Sequence, residues 1–338
     1  MRRSSALTPR GLDSIDQLRP ASDANRIVRS ERRSTLLEGS KKLADRECLV
    51  PALEIDPALS ESLRVRMLNN RPARLAARTI VQAFPKLWGR VSGAHAGIVT
   101  IKISGTKLCY ALGRSDPIGD LLYWCGGDAW DRGVVRTFTD IAKQVDGCVL
   151  DIGANCGIFS LLACAVNRRV NVIAWEPVSM LRERVLLSAA VNGFGTRIEV
   201  RSAAAGSRAG ETTFYLNPDP TQGGFTDSSG CGTPVMVRVE AIDDIVPRTQ
   251  RVGFIKIDVE GHEAKALAGL SRILSTDRPP VIFECLQTTS WQQCQWEELF
   301  GIFTTYGYGV RGVSDDRGLI DTKRFIPGIT NYLAERRG

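Results

Sequence analysis

Apolar and polar positions along this chain switch between two periods. From residue 148 onward, short apolar runs bounded by turn residues give way to longer stretches with apolar residues three and four apart. The runs at 148–152, 171–175, near 197–202, 252–258 and 280–285 predict buried strands. The stretches at 156–167, 178–192 and 262–274 predict helices between them. Asn192-Gly193 stops the second helix. Ala264, Leu267, Ala268, Leu270, Ile273 and Leu274 form the apolar stripe of the third. A helix near 294–305 leads to two closing strands, near 307–313 and 329–334. Regular strand–helix alternation predicts an α/β fold, a doubly wound, mostly parallel seven-stranded sheet with helices on both faces and right-handed crossovers. An excursion interrupts it: strands at Glu211–Leu216 and Val235–Glu240 flank the Gly-, Ser-, Thr- and Asp-rich loop Asp219–Thr233.

The first third of the chain reads differently. Arg132–Val145 predicts a helix leading into the first core strand, and Ile98–Ile103 with Lys107–Leu112 predicts a hairpin around Gly105. Residues 58–70 and 72–88 predict helices; Ala77, Val81, Phe84 and Trp88 make one apolar face with arginines elsewhere. Residues 1–45 are polar and aperiodic, the pattern of a mobile leader. The implied organisation is a basic leader over 1–45, an N-terminal extension of helices and a short hairpin over 46–119, and the main domain over 120–338.

Candidate chemistry starts where the first core strand ends. Cys148-Val149-Leu150-Asp151 runs into Ile152-Gly153-Ala154-Asn155-Cys156-Gly157 and then a helix. Dinucleotide folds, adenosyl folds and plain packing all use such turns. Three details narrow the choice. The spacing is Gly-x-x-x-Gly, one residue off the dinucleotide fingerprint. Asp151 would repel a pyrophosphate at the helix start, but not a sulfonium or an amine. Glu176 ends the next strand about 20 residues on, where a carboxylate grips a ribose diol, and Pro177 suits the start of the following helix. The glycines would let the backbone approach a bound molecule closely. A ribose-bearing ligand without a phosphate that tolerates a carboxylate is best matched by S-adenosylmethionine; the bland alternative is a buried strand with an incidental Asp and Glu.

A second dense segment is Ile255-Lys256-Ile257-Asp258-Val259-Glu260-Gly261-His262-Glu263. Its acids and histidine fall at a strand's carboxyl end, where α/β sheets bind ligands. Acids at a helix start also favour the dipole, which accounts for Glu263 but does not require Asp258. Together the two segments resemble the FkbM family of S-adenosylmethionine-dependent methyltransferases. Supporting pieces follow in order: Ala203-Ala204-Ala205-Gly206 with Gly210–Tyr215, Ala241-Ile242-Asp243-Asp244-Ile245, Pro279–Glu284, and Asn331-Tyr332-Leu333-Ala334. The resemblance covers roughly Asp120 to Glu335. It implies a class I methyltransferase-like fold and S-adenosylmethionine as cofactor, with Asp151, Gly153, Asn155, Gly157, Glu176 and Ser202 around it. It also implies O-methylation of a hydroxyl on a sugar, glycolipid or secondary metabolite, so the expected partner is a small-molecule or glycan acceptor. One departure concerns the family's Tyr-Glu pair before the first strand, which here is Trp130-Asp131.

A hydroxyl acceptor must lose a proton. Asp258, Glu260 and His262 are the catalytic candidates: Asp258 faces the reacting centre, and His262 or Glu260 takes the proton, His262 being the one histidine near the site. A magnesium-assisted variant would use Asp258 and Glu284; the sequence offers no third ligand, so no metal is assigned. Two other readings stay open, a nicotinamide oxidoreductase on a related sheet and a non-catalytic adenosyl-binding protein.

Composition changes this picture little. Net charge is +7, and residues 1–42 carry ten Arg or Lys against five acids. From Arg64 to Arg114 there is no acid at all. Such patches can meet nucleic acid or an anionic membrane; with no nucleic-acid motif beside them, nucleic acid is not expected and weak peripheral membrane association is the residual reading. No apolar run reaches the ~18 residues of a membrane span. The first residues lack a secretory signal's apolar core. The nine cysteines are scattered without a Cys-x-x-Cys pair, which reads as free thiols in a reducing cytoplasm, with neither disulfide framework nor zinc site.

Overall fold

The computed structural model describes residues 96–113, 116–217, 221, 223–225, 230–285 and 292–336, all within the compact unit Ala58–Gly338. The leader and the helices expected over 58–70 and 72–88 lie outside the described residues. A hairpin opens the described chain: β1 (Gly97–Ile103) and β2 (Thr106–Leu112) pair antiparallel, and Ser104 and Gly105 turn with φ of 47° and 82°. Two positive φ values in succession suit the twist of a two-residue hairpin loop.

The core is one eight-stranded mixed sheet. Its parallel part comprises β3 (Cys148–Ile152), β4 (Val172–Trp175), β5 (Ile198–Arg201), β9 (Val252–Ile257) and β10 (Val281–Glu284). Three antiparallel strands extend it, β11 (Tyr308–Ser314), β12 (Gly318–Thr322) and β13 (Asn331–Arg336). The spatial order is β12-β11-β13-β10-β9-β3-β4-β5. The sheet thus has eight strands where seven were expected, and its closing strands pair antiparallel. The unforeseen strand is β12, an edge strand with no buried residue, so it carries no hydrophobic alternation to be read.

Every residue of β3 and β4 is buried, as parallel strands covered on both faces require. Successive side chains part to opposite sides. Val149, Val172, Phe254 and Ile282 join one apolar cluster, with the helices Arg132–Gln144, Ile158–Val166 and Ser179–Val191. Leu150, Ile173, Ile255 and Phe283 join the other, with Glu263–Ala268, Ser271–Thr276 and Gln292–Thr305. The helix expected over 262–274 is thus two short helices, and Ala268 of its expected stripe is exposed while Ala266 is buried. The break falls at Gly269, where a Cβ would collide with the carbonyl oxygen of Gly206 and whose own carbonyl accepts the Asp243 N–H at 2.9 Å. Contact with a second backbone decides the break, and helical periodicity contains no sign of it.

Two features bring other segments to the sheet. The hairpin shares the first apolar cluster through Ile101, Leu108 and Tyr110, and the buried Tyr110 hydroxyl donates to Asp116 at 2.8 Å while Arg184 pairs with the same carboxylate at 3.4 Å. A three-stranded sheet of β6 (Ala204–Ala205), β7 (Gly210–Leu216) and β8 (Thr233–Glu240) forms the excursion. Among the described residues, no helix is long and apolar enough to cross a membrane.

Candidate active site

The chain leaves β3 for β4 and β5 on one side and later returns to β9 and β10 on the other. Such a reversal opens a crevice beyond the strand carboxyl ends, the usual ligand position in α/β sheets. Asp151 is in register with Lys256, and Ile152 with Ile257, so the two motif-bearing turns emerge side by side. The cavity between them holds about 290 Å³. Asp151, Gly153, Asn155, Glu176, Asp258 and Glu260 of the expected site all line it, together with Asp131, Lys256, Glu284, Trp130 and Phe225. Gly157, Ser202 and His262 are not among the lining residues.

The β3–β4 side is knit together by hydrogen bonds. Glu176 accepts the Asn155 N–H with one carboxylate oxygen and the Val178 N–H with the other, both at 2.8 Å. Burial pushes its carboxyl group up to about 7, against the pull of those two amides. Asp151, 1% exposed, accepts from the Ser160 hydroxyl at 2.5 Å, and burial holds it at about 6. The Asn155 side-chain amide donates to the Thr221 carbonyl at 2.8 Å, tying the β7–β8 loop across the crevice. Both glycines are also tightly packed. Gly153 has φ +81°, and a Cβ on it would strike the Asp258 carbonyl oxygen; Gly157, at φ +78°, lies against Val185.

The β9–β10 side is crowded with acid. One oxygen from each of Asp258, Glu260 and Glu284 lies within 4.8 Å of the others. Sequence reading found no third ligand to join Asp258 and Glu284; the turn carries Glu260 into that place, so this trio is the set that could hold a metal ion. A resident cation already sits beside it: the Lys256 ammonium, 1% exposed as a residue, lies 3.0 Å from Asp258 and 5.3 Å from the centre of the Phe159 ring. Burial opposes charge on both partners, yet mutual attraction wins: Lys256 is raised and Asp258 lowered from their ordinary values. Glu284 is pushed up to about 10 by burial and then by the charges of Asp258 and Glu260. The Glu284 carboxyl group shares a hydrogen bond with Asp258, while its Oε2 atom is buried without a partner of its own.

Glu260 stands at the mouth of the cavity, exposed as a residue and held at φ +52°. Desolvation of its carboxyl group, then the charges of Asp258 and Glu263, push it up to about 7. Glu263 is fully buried and accepts the Val259 and Gly261 N–H groups at 3.1 and 3.2 Å, so it shapes the turn that presents Glu260. His262 has a different position. Its ring stacks on Phe225 at 3.7 Å and meets the Lys265 ammonium at 3.0 Å. Burial, then the Lys265 charge, lowers it to about 4.

Residues with positive φ other than glycine number five among those described, and three of them, Asp131 (39°), Asn155 (51°) and Glu260 (52°), line this one cavity. Backbone held in that region costs ~1–3 kcal/mol per residue and clusters at functional sites. A larger cleft of about 930 Å³ lies beyond the amino ends of the central strands, between Asp146, Arg251 and Pro280. It mixes arginines with acids and holds none of the motif residues. Sequence reading assigned no role to Lys256, Phe225 or Thr221. A lysine inside the otherwise apolar run Val252–Ile257 was the available signal for the first; the other two depend on how the loop folds back.

Comparison with known proteins bears on the same residues. Residues 151–310 match the family described as methyltransferase FkbM domain. A hexuronic acid methyltransferase, AglP, of Haloferax volcanii is 26% identical over 148 residues, 43% of this chain and 59% of that protein. AMB antimetabolite synthetase AmbE of Pseudomonas aeruginosa is 34% identical, over 58% of this chain and 11% of that protein. The chain thus spans less than two-thirds of each of these relatives. Among solved structures, a methyltransferase FkbM from Methylobacillus flagellatus shares 19% identity over 63% of this chain and 54% of its own, with a TM-score of 0.38.

Proposed function

We propose, from the premise that residues 151–310 are a methyltransferase FkbM domain, that this protein transfers a methyl group from S-adenosylmethionine to a hydroxyl of a small-molecule or glycan acceptor. The observation that carries the reading is the bracing of the Gly153–Gly157 turn by Glu176, 2.8 Å from the Asn155 amide, at the switch point of the sheet. The residues present suit that donor. Each Glu176 oxygen accepts one backbone N–H, and a carboxylate has about four lone-pair sites, so capacity for a ribose diol remains. Asp151 and Gly153 line the adjoining cavity and would face the donor's cationic part. When bound, the donor supplies an already activated methyl group on a sulfonium.

The chain's own residues then have three tasks. They align the acceptor oxygen, which is where most of the rate gain in such a displacement arises. They exclude water, which the β7–β8 loop does through Thr221 and Phe225. They take a proton, and here Glu260 replaces His262: a base with pKa near the working pH is the most effective, and Glu260 lies near 7 whereas His262 lies near 4, outside the cavity lining. Lys256 keeps Asp258 ionised beside it. The hexuronic acid in the archaeal relative's name supports a sugar as the acceptor class. A nicotinamide dinucleotide finds one lysine among six carboxylates in this lining, an unsuitable setting for a pyrophosphate.

Calorimetric titration with S-adenosylhomocysteine tests the reading. The folded protein binds it, and Glu176→Gln weakens binding by roughly tenfold or more, the worth of a charge-assisted hydrogen bond. Folded protein that ignores both donor and product would end the proposal.

A further inference from the structure

We infer that Asp116, which precedes the family-matched residues 151–310, is a positioning residue for the methyl donor, holding the Gly153–Gly157 turn in place through Cys156 and Asn155. This inference rests on the methyl-transfer reading and extends the donor site into the chain before the core sheet. The cavity lining reaches that chain at Pro117 and Ile118, alongside Asn155 and Cys156 of the turn. Both belong to the helix Pro117–Cys125, whose N-cap is Asp116. Proline suits the first helical position. The Asp116 Oδ1 accepts the Gly119 N–H at 2.8 Å, and this cap fixes where that wall of the cavity stands.

The same carboxylate ties that wall to the turn. It is 0% exposed, a place a charged group occupies only with partners. Its Oδ2 accepts the Tyr110 hydroxyl at 2.8 Å and meets the Arg184 guanidinium at 3.4 Å, and its Oδ1 lies 3.9 Å from the Cys156 Sγ. Arg184 also lies 4.0 Å from that sulfur, with its guanidinium against Gly113, where a Cβ would collide with it. The hairpin, the helix Ser179–Val191 and the turn therefore meet in one buried polar cluster. Cys156 carries the connection on to the cavity. Burial, then the Asp116 charge, push its thiol up to about 12, so it keeps its proton and donates to the Asn155 Oδ1 at 3.1 Å. The other end of the Asn155 amide donates to the Thr221 carbonyl, and the Asn155 backbone N–H donates to Glu176. With both ends engaged the amide has one orientation. A turn fixed in this way is preorganised, which lowers the ordering cost of binding. Tyr110 and Asp116 are not among the lining residues, so they act on a bound donor through Cys156 and Asn155.

The test is calorimetric titration of the full chain with S-adenosylhomocysteine, well below the melting range of each variant, beside its thermal unfolding. Cys156→Ala removes the thiol donor and should weaken binding roughly threefold to tenfold, one hydrogen bond's worth. Cys156→Ser keeps a donor and should restore most of that loss. Asp116→Asn should weaken binding at least as much as Cys156→Ala, and Tyr110→Phe, which takes one donor from the same carboxylate, should weaken it less. A purely structural role would not move the cycle with Asn155→Ala. Once that side chain is gone, Asp116→Asn should cost no further affinity, although it still lowers the melting temperature. Asp116→Asn also leaves the buried Arg184 guanidinium without its counter-charge. If that chain does not fold, the two Cys156 variants and Tyr110→Phe, each cycled with Asn155→Ala, decide the question. Variants that melt lower yet bind like the parent, or losses that add in full to that of Asn155→Ala, overturn the inference. So does a Cys156→Ser chain that binds no better than Cys156→Ala. A parent chain that ignores S-adenosylhomocysteine overturns the methyl-transfer reading, and this inference falls with it.

Discussion

The two sides of the crevice differ in how their polar groups are satisfied. Where β3 and β4 end, Asp151, Asn155 and Glu176 each have named partners within 2.8 Å. Where β9 and β10 end, three carboxylates crowd within 4.8 Å around one ammonium, and one buried oxygen has no partner. A fully bonded network is rigid and fixes one geometry. A crowded acid set holds protons and changes its ionisation when a ligand arrives. On the proposed reading the contrast separates two tasks, positioning a donor on one side and handling charge and protons on the other, and variants on the two sides should fail in different ways.

The largest effect should come from the seam between them. Gly153 sits at φ +81°, and an added Cβ would run into the Asp258 carbonyl of the opposite side. Gly153→Ala therefore carries a left-handed backbone penalty and a backbone collision together, about 3 kcal/mol or more. Thermal unfolding should shift down by roughly 6–12 °C in a chain of this size, with donor-product affinity and turnover lost in parallel. A variant that melts with the parent would show that the two turns are not locked together.

Next in size is a change on the β9–β10 side that should spare the β3–β4 side. Glu260 has a raised carboxyl group, at about 7, so below that pH it holds its proton and cannot act as base, and above it the base is free. The parent kcat/KM should rise with pH and level off above about 7. Glu260→Gln should lose about 10²–10⁴ in rate and its profile should lose that acid limb, while S-adenosylhomocysteine binds as before. An acid limb that persists in the variant would assign the titration to another group, with Asp131, which burial also raises, the first to examine.

The same contrast explains how far the sequence could be read. The β3–β4 side was legible as structure because it is local: strand, acid, glycine turn and helix lie within one short stretch, and Glu176 follows at the distance that the neighbouring strand imposes. The parallel strands were legible because burial on both faces leaves unbroken apolar runs such as Val149–Ile152 and Val172–Trp175. The edge strand Gly318–Thr322 was not, since its pairing with Tyr308–Ser314 buries none of its residues. On the β9–β10 side, residue types were visible but their arrangement was not. Whether Glu260 or His262 faces the cavity turns on the φ of one residue and on where Phe225 lands, and a loop return of that kind has no period. Lys256 was visible as a lysine in an apolar strand, yet only the sheet register that brings Glu284 alongside makes it the counter-ion of an acid cluster.

His262 gives the smallest expected effect and the sharpest division between the two candidate bases. It caps no group by its side chain, stacks on Phe225 at 3.7 Å, and is lowered to about 4 by burial and Lys265. A base that weak contributes little near neutrality. His262→Ala should leave kcat within about threefold, because the proton acceptor is elsewhere, and should raise the acceptor KM modestly, because Phe225 loses the ring it rests on. His262→Phe keeps a flat ring for that contact and should restore KM without restoring any titratable group. A hundredfold fall in kcat in both variants would return the proton to His262, place the stacked ring within reach of substrate, and remove the division of labour drawn between the two sides of the crevice.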